Sequence, residues 1–207
     1  MKIQALQVGP IGTNCYLLCD EQAKACAVID PGGDAGRIAA AVERTGCAPS
    51  AVLLTHGHYD HTGGVEELLS AFPGVPVYLN RRDVYPEDLR AQQLFPLLSG
   101  DVRNYDEGDT VAVGGLTVSV MATPGHSEGS VTLRCENALF CGDTLFAGSC
   151  GRTDFVGGSM PKMMASLRRL GALEGNLQVL PGHMEPSNLE RERAVNPFLL
   201  QAMSGAE

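Results

Sequence analysis

The sequence predicts an α/β (α+β) fold in which two β-sheets pack together with helices on their outer faces. Three observations carry this expectation. Short apolar runs of strand length fall into two groups, one in the first half of the chain and one in the second. Segments with apolar residues at three- and four-residue spacing lie between and after those groups. The length of 207 residues suits one well-buried core better than two small ones, so a single domain over 1–207 is expected.

The elements follow in order. "IQALQV", "NCYLLC" and "ACAVID" are short apolar runs separated by the turn-forming "GPIGT" and "DEQAK", which predicts three consecutive antiparallel strands. "DAGRIAAAVERTG" places Asp34 as an N-cap, Ile38, Ala41 and Val42 on one face, and Gly46 as a stop, so it reads as a helix. "AVLLT" is a buried strand. Val65, Leu68, Leu69 and Phe72 then share a helical face. "VPVYL", "TVAVGGLTVSVMAT" with a turn at Gly114-Gly115, "SVTLRC" and "ALFCGD" read as further strands. "SMPKMMASLRRLG" has Ser159 as N-cap, Pro161 in its first turn and Gly171 at its exit, so it is helical, with Met163 and Met164 as packing residues. "LQVLP" is expected as the last strand, and Phe198 in "NPFLL" as the residue that docks the C-terminus. Residues 85–104 lack periodicity and read as a surface insert; the tail from Ala202 to Glu207 is expected to be disordered.

Composition removes several classes of partner. A formal charge of −9 with 15 scattered Lys and Arg disfavours nucleic acid and anionic membrane surfaces, since both rest on clustered cations. No stretch has the apolar length of a signal peptide or a membrane span, so a cytoplasmic protein is expected, monomeric or a small homo-oligomer. Seven cysteines with no CxxC spacing, mostly within apolar runs, read as buried thiols in a reducing compartment. Cys141 and Cys150 accordingly read as small apolar residues, not nucleophiles.

The chemistry is concentrated in "THGHYDH", residues 55–61, which holds three of the five histidines. His56 and His58, two apart in extended backbone, point the same way and can chelate one ion. Asp60 and His61 are adjacent, so the chain must turn there for both to face a second ion. The remaining histidines share a pattern: apolar strands run out through Pro-Gly turns and deliver His126 in "TPGH" and His183 in "LPGH", while "ALFCGD" delivers Asp143. Neighbouring strand ends lie about 5 Å apart, so these groups can converge on one sheet edge. The spacing gives His56, His58 and His126 to one metal, Asp60, His61 and His183 to another, and Asp143 as a bridging carboxylate. Asp30 and the Gly32-Gly33 turn read as supports of the ligands, and Thr55 as a simple strand-end hydroxyl.

In "THGHYDH", "TPGHSEGS", "CGDTLFAGSCGRTD" and "LPGHMEPSNLERERAVNPF", in that order along nearly the whole chain, the sequence resembles the metallo-beta-lactamase-fold hydrolases, and among them the short glyoxalase II-like (hydroxyacylglutathione hydrolase-like) proteins. The resemblance implies a four-layer αββα sandwich of two mixed sheets with a dinuclear site at one edge, holding two divalent ions, zinc first, with iron or manganese as alternatives. It also implies the ligand roles already drawn from spacing. Secreted lactamases of this fold commonly carry cysteine or another residue where this chain has Asp143, so lactam hydrolysis is not expected. Full-length glyoxalase II enzymes have an additional C-terminal helical glutathione-binding domain, which is not expected here because this sequence ends soon after His183. Arg152 stands where those enzymes place a glutathione-contacting lysine and Asp154 where they place a tyrosine. Arg152 is therefore either a contact for a substrate carboxylate or half of an ion pair with Asp154, and Tyr59 either lines the pocket or packs on the surface.

The expected reaction is hydrolysis of a small thioester, S-2-hydroxyacylglutathione or a similar molecule. Two divalent ions lower the pKa of a shared water from about 15.7 towards neutrality, and the bridging hydroxide so formed is the expected nucleophile. Asp60 and Asp143 are the catalytic carboxylates, Asp60 as ligand and proton acceptor. The leading alternative is a persulfide dioxygenase, because those relatives share "GCGRTDF" and His56, His126 and Asp143 alone would make the two-His, one-carboxylate triad of a mononuclear iron enzyme. A lactonase or other ester hydrolase, a noncatalytic metal-binding module and an RNA nuclease follow further behind.

Overall fold

A computed structural model describes residues 1–205 of the chain. The first half alternates strand and helix. Strands β1 (Lys2–Val8), β2 (Thr13–Asp20) and β3 (Ala25–Ile29) form an antiparallel meander, as expected; helix α1 (Ala35–Thr45), strand β4 (Ala48–Leu53), the single turn α2 (Tyr59–Thr62), helix α3 (Val65–Ala71) and strands β5 (Val77–Leu79) and β6 (Val102–Asn104) follow. The second half begins with the hairpin β7 (Thr110–Val113) and β8 (Leu116–Ala122), then β9 (Val131–Cys135), β10 (Ala138–Gly142) and the small hairpin β11 (Leu145–Phe146) and β12 (Ser149–Cys150). Helix α4 (Met160–Gly171), strands β13 (Gln178–Pro181) and β14 (Ser187–Asn188), and helices α5 (Leu189–Val195) and α6 (Pro197–Ser204) complete it.

Two six-stranded mixed sheets result, ordered β1-β2-β3-β4-β5-β6 and β14-β13-β10-β9-β8-β7. Side-chain alternation along β2 shows how they stack. Cys15, Leu17 and Cys19 face α1 and α3, where they meet Ile38, Val42, Val65 and Leu68. Tyr16 and Leu18 face the other sheet and meet Val118, Val120, Leu133 and Phe140, with the Tyr16 and Phe140 rings edge-on at 5.3 Å. On the far side, Leu139 and Cys141 of β10 pack on Met163, Leu167 and Leu170 of α4 and on Leu199 and Ala202 of α6. Three apolar layers between four structural layers make the αββα sandwich.

The local expectations hold with instructive exceptions. Gly46 ends α1 in the left-handed region, and Ser159 caps α4 by accepting the Lys162 N–H. Asp34 is the N-cap residue of α1, its carbonyl accepting the Ile38 N–H, but its backbone is left-handed (φ 53°) and its side chain makes no cap bond; the carboxylate accepts the Gly9 N–H instead. Gly171 is the last residue of α4, at its exit as expected, and Ala172 follows as the C-cap. Part of the expected insert belongs to the sheet, since residues 102–104 form β6 beside β5. The sheet work also continues past residue 181, because β14 pairs with β13. Ala202 to Ser204 lie in α6, where buried Ala202 contacts the α4 side of the core; residues 206–207 lie outside the described residues. Leu199, more than Phe198, docks this last helix, since Leu199 is buried and Phe198 only half-buried. Among the described residues, no helix is long and apolar enough to cross a membrane.

Candidate metal centre

Parallel pairing decides where the polar groups meet. β3 runs parallel to β4, and β10 parallel to β13, so within each pair the C-terminal ends share an edge. Asp30 follows β3, His56 and His58 follow β4, Asp143 follows β10 and His183 follows β13. β8 is antiparallel to β9, which is antiparallel to β10, so β8 also ends at that edge and delivers His126. The two sheets are tied there by the Val131 N–H donating to the Thr55 carbonyl (2.8 Å).

All seven sequence-derived ligands come together. His56, His58 and His126 form one group and Asp60, His61 and His183 a second, with potential ligand atoms in each within 4.8 Å of one another; His56, His61 and Asp143 form a third group that links them. Asp143 lies between the two sets: its Oδ2 is 3.4 Å from His126 Nε2 and 3.7 Å from His183 Nε2, and its Oδ1 is 3.4 Å from His61 Nε2. The turn required between Asp60 and His61 is α2, which brings both groups inward: Asp60 Oδ2 lies 3.1 Å from His183 Nε2 and 3.4 Å from His61 Nε2.

The donor set fits divalent ions. His56 Nε2, His58 Nε2, His61 Nε2 and Asp143 Oδ1 are buried polar atoms with no hydrogen-bond partner, a costly arrangement unless a cation takes their lone pairs. Burial, reinforced by neighbouring imidazoles, holds His56 well below the usual histidine range and His58 down to about 3, so both rings are neutral. Burial opposes ionisation of Asp143 and Asp60, but the histidines around each outweigh it and keep both carboxyls below their usual range. For His61 burial is overcome by Asp30 and Asp143, which raise it; metal binding there would release a proton.

A supporting layer fixes the rings. Asp30, itself left-handed (φ 51°), accepts from the Thr55 N–H at 2.7 Å and the Thr55 hydroxyl at 2.6 Å, and its Oδ2 lies 2.9 Å from His61 Nδ1. Thr55 is therefore a specific contact, against its reading as a plain strand-end hydroxyl; its Oγ1 also lies 3.2 Å from His56 Nδ1. His126 Nδ1 lies 2.7 Å from the Arg152 carbonyl, which leaves Nε2 for the centre. Gly32 is required by close approach, because a Cβ there would sit 1.6 Å from the Asp60 carbonyl oxygen.

Above the centre lies a cleft of about 430 Å³, walled by Ile11, Tyr59, Leu94, Phe146, Arg152 and Phe155. Tyr59 and Arg152 both line it, which for Tyr59 is the pocket-lining one of its two readings. Arg152 makes the ion pair with Asp154, the second of its two readings.

Residues 8–183 match the metallo-beta-lactamase superfamily model. The chain belongs to the metallo-beta-lactamase superfamily. Within this superfamily it is 41% identical to a hydroxyacylglutathione hydrolase of Alkalilimnicola ehrlichii over 196 residues, covering 93% of this chain and 71% of that protein. The crystal structure of BLEG-1 B3 metallo-beta-lactamase is 35% identical with a TM-score of 0.84, covering 96% of this chain and 99% of that one. The structure of TTHA1623 in a di-iron-bound form is 36% identical with a TM-score of 0.78, covering 94% and 99%.

Three parts of this metallo-beta-lactamase-fold site were not read from the sequence. Asp83, buried just before the insert, accepts the N–H groups of Gly57 (2.9 Å) and Gly129 (2.7 Å) and the Ser127 hydroxyl (2.7 Å), tying the loop of His56 and His58 to that of His126. Asn14 of β2 holds the His183 loop through the carbonyls of Pro181 (3.0 Å) and Met184 (2.8 Å). The insert supplies Phe95, whose buried ring lies 4.4 Å from that of His58. None carries a motif; a polar residue just after a strand was the only signal for Asp83.

Proposed function

We propose that the chain is a dinuclear metal-dependent hydrolase that cleaves a small thioester. The observation that carries this reading is the pair of ligand groups, His56/His58/His126 and Asp60/His61/His183, joined by Asp143 at the floor of an open cleft. When bound, two divalent ions supply an acidified water and a positive field beside the scissile carbonyl. The chain's own residues do the rest. Asp143 sits between both groups, Asp30, itself held by Thr55, fixes His61 in the tautomer that directs Nε2 inward, and Asp60, at the floor of the cleft, is the acceptor for a proton released there. A thioester suits such a site because its thiolate leaves readily. Zinc is the first metal to test and iron the second; a cytoplasmic location and a small-molecule substrate belong to the same proposal.

A persulfide dioxygenase would need only His56, His126 and Asp143 around one iron. The complete second group of Asp60, His61 and His183 favours the dinuclear hydrolase. Metal analysis, followed by thiol release from S-D-lactoylglutathione beside oxygen uptake with glutathione persulfide, separates the two. Two metals with thiol release support the hydrolase; one iron with oxygen uptake and no thiol release refutes it. Asp143→Ala should lose most bound metal and activity, and full occupancy in that variant would remove the bridging role.

A further inference from the structure

We propose that Cys19 and Cys26 form a latent disulfide, a modification site remote from the metal centre at which a small peroxide closes the β2–β3 hairpin covalently. All seven cysteines are free thiols, and these two face each other across that hairpin.

Backbone register makes the pair. Cys19 of β2 and Cys26 of β3 are direct partners in the antiparallel ladder, one step from the turn over residues 21–24. The Lys24 carbonyl accepts the Ala48 N–H (2.8 Å), the Cys26 carbonyl accepts the Ser50 hydroxyl (3.3 Å), and the Asp30 N–H donates to the Leu53 carbonyl (3.1 Å). Even-numbered residues of β3 thus turn their backbone groups to β4, and Cys26 has none left for β2. Cys19 and Cys26 are therefore a non-hydrogen-bonded pair, the kind whose Cα atoms approach to about 4.5 Å. A disulfide spans Cα separations of about 4.4–6.8 Å, so the backbone need not move.

The side chains agree. The two sulfur atoms lie 3.0 Å apart, buried in the apolar layer beneath α1 and α3. Cys47 is a third thiol in that layer, but it is a ladder partner of neither and its sulfur lies 3.8 Å from the Asp20 carbonyl. Burial raises both paired thiols, Cys26 the more, and the Cys26 thiol offsets part of that effect at Cys19. The resting form is the dithiol, with Cys19 the sulfur that reacts first.

A small neutral oxidant suits so closed a site. The Cys19 sulfur, having given up its proton, attacks one peroxide oxygen; the O–O bond breaks, and the departing hydroxide takes up that proton and leaves as water. The Cys26 sulfur then attacks the Cys19 sulfenic acid, the S–O bond breaks, and hydroxide leaves with the Cys26 proton as a second water. Two electrons pass from the thiols to the peroxide. Asn14 and Asp30, which support the metal centre, stand at the opposite ends of these strands, so the bond adds stability without disturbing the ligands.

The test treats zinc-loaded protein with hydrogen peroxide, removes the excess with catalase, alkylates the remaining thiols in denaturant and maps the unreduced tryptic peptides by fragmentation. Cleavage after Lys24 separates the two cysteines, so a linked pair is read directly. The expected product joins Cys19 to Cys26, keeps its bound zinc and melts about 2–5 °C higher than the reduced protein. Cys19→Ser and Cys26→Ser should each abolish the link and the shift, whereas Cys47→Ser should keep both. Absence of the link in the wild-type protein, a bond to Cys15 or Cys47 instead, or a melting temperature that stays level or falls on linking overturns the proposal.

Discussion

Asp30 Oδ2 lies 2.9 Å from Nδ1 of His61, with both side chains shut off from solvent. The contact assigns the ring proton to Nδ1 and directs Nε2 at Asp60 and Asp143, each 3.4 Å away. Replacing the carboxylate by an amide of the same shape, Asp30→Asn, weakens the hold on the tautomer and disturbs the Thr55 bonds. Metal affinity should fall about 10- to 100-fold, the usual cost of losing such a partner. Competition against a chelator of known affinity measures this, and an unchanged affinity would show that Asp30 does not orient His61.

Asp83 makes a similar claim for the loops. It receives two backbone N–H groups and a hydroxyl, so an amide in its place would turn donors towards Gly57 or Gly129. Asp83→Asn should destabilise the metal-free protein by about 1–3 kcal/mol, the cost of stranding a buried donor. Chemical denaturation reads that loss. Equal stability of the two proteins would mean the loops do not depend on this carboxylate.

The fold and the convergence of the seven candidate side chains were legible because both rest on local signals. Apolar runs ending in Pro-Gly or Gly mark strand ends, and the candidate ligands sit just beyond them; that is why the sequence alone places His126, Asp143 and His183 with "THGHYDH". What stayed hidden depends on contacts between distant segments. Asp83 and Asn14 act through backbone groups 26 to 46 and 167 to 170 residues away. β6 has three exposed residues and takes its identity from β5 alone. Asp34 has the residue type of a cap, but Gly9, brought near by tertiary folding, claims its carboxylate. The same limit applies to residues 85–104, whose inward-facing Phe95 has no periodic partners to announce it.

Burial gives the cysteines near the centre a measurable signature. It pushes the Cys141 thiol up to about 12 and the Cys150 thiol up to about 11. A raised thiol pKa leaves the neutral form dominant until alkaline pH, so at pH 8 both thiols are in the unreactive form. Maleimide labelling of folded protein at pH 8 should be slow, rise with pH and become complete on unfolding, and Cys150→Ser should retain activity. Fast labelling at pH 8 with loss of activity would give a thiol a role in the reaction.

Gly182 tests how closely the His183 loop is fitted. A Cβ there would lie 2.4 Å from Asp143 Oδ1 and 2.6 Å from His61 Cε1. Gly182→Ala should therefore lose metal binding and activity while its far-ultraviolet circular dichroism stays native. Full zinc uptake by this variant would mean the loop can move away without disturbing the ligands.

In the proposed hydrolase two ions, not one, complete the site. Metal-stripped protein titrated with zinc, with hydrolysis of a lactoyl thioester followed at each step, addresses it most directly. Activity should climb to a plateau at two zinc ions per chain and be lost in Asp143→Ala. A plateau at one ion per chain, or full metal uptake without any thiol release, would contradict the dinuclear hydrolase.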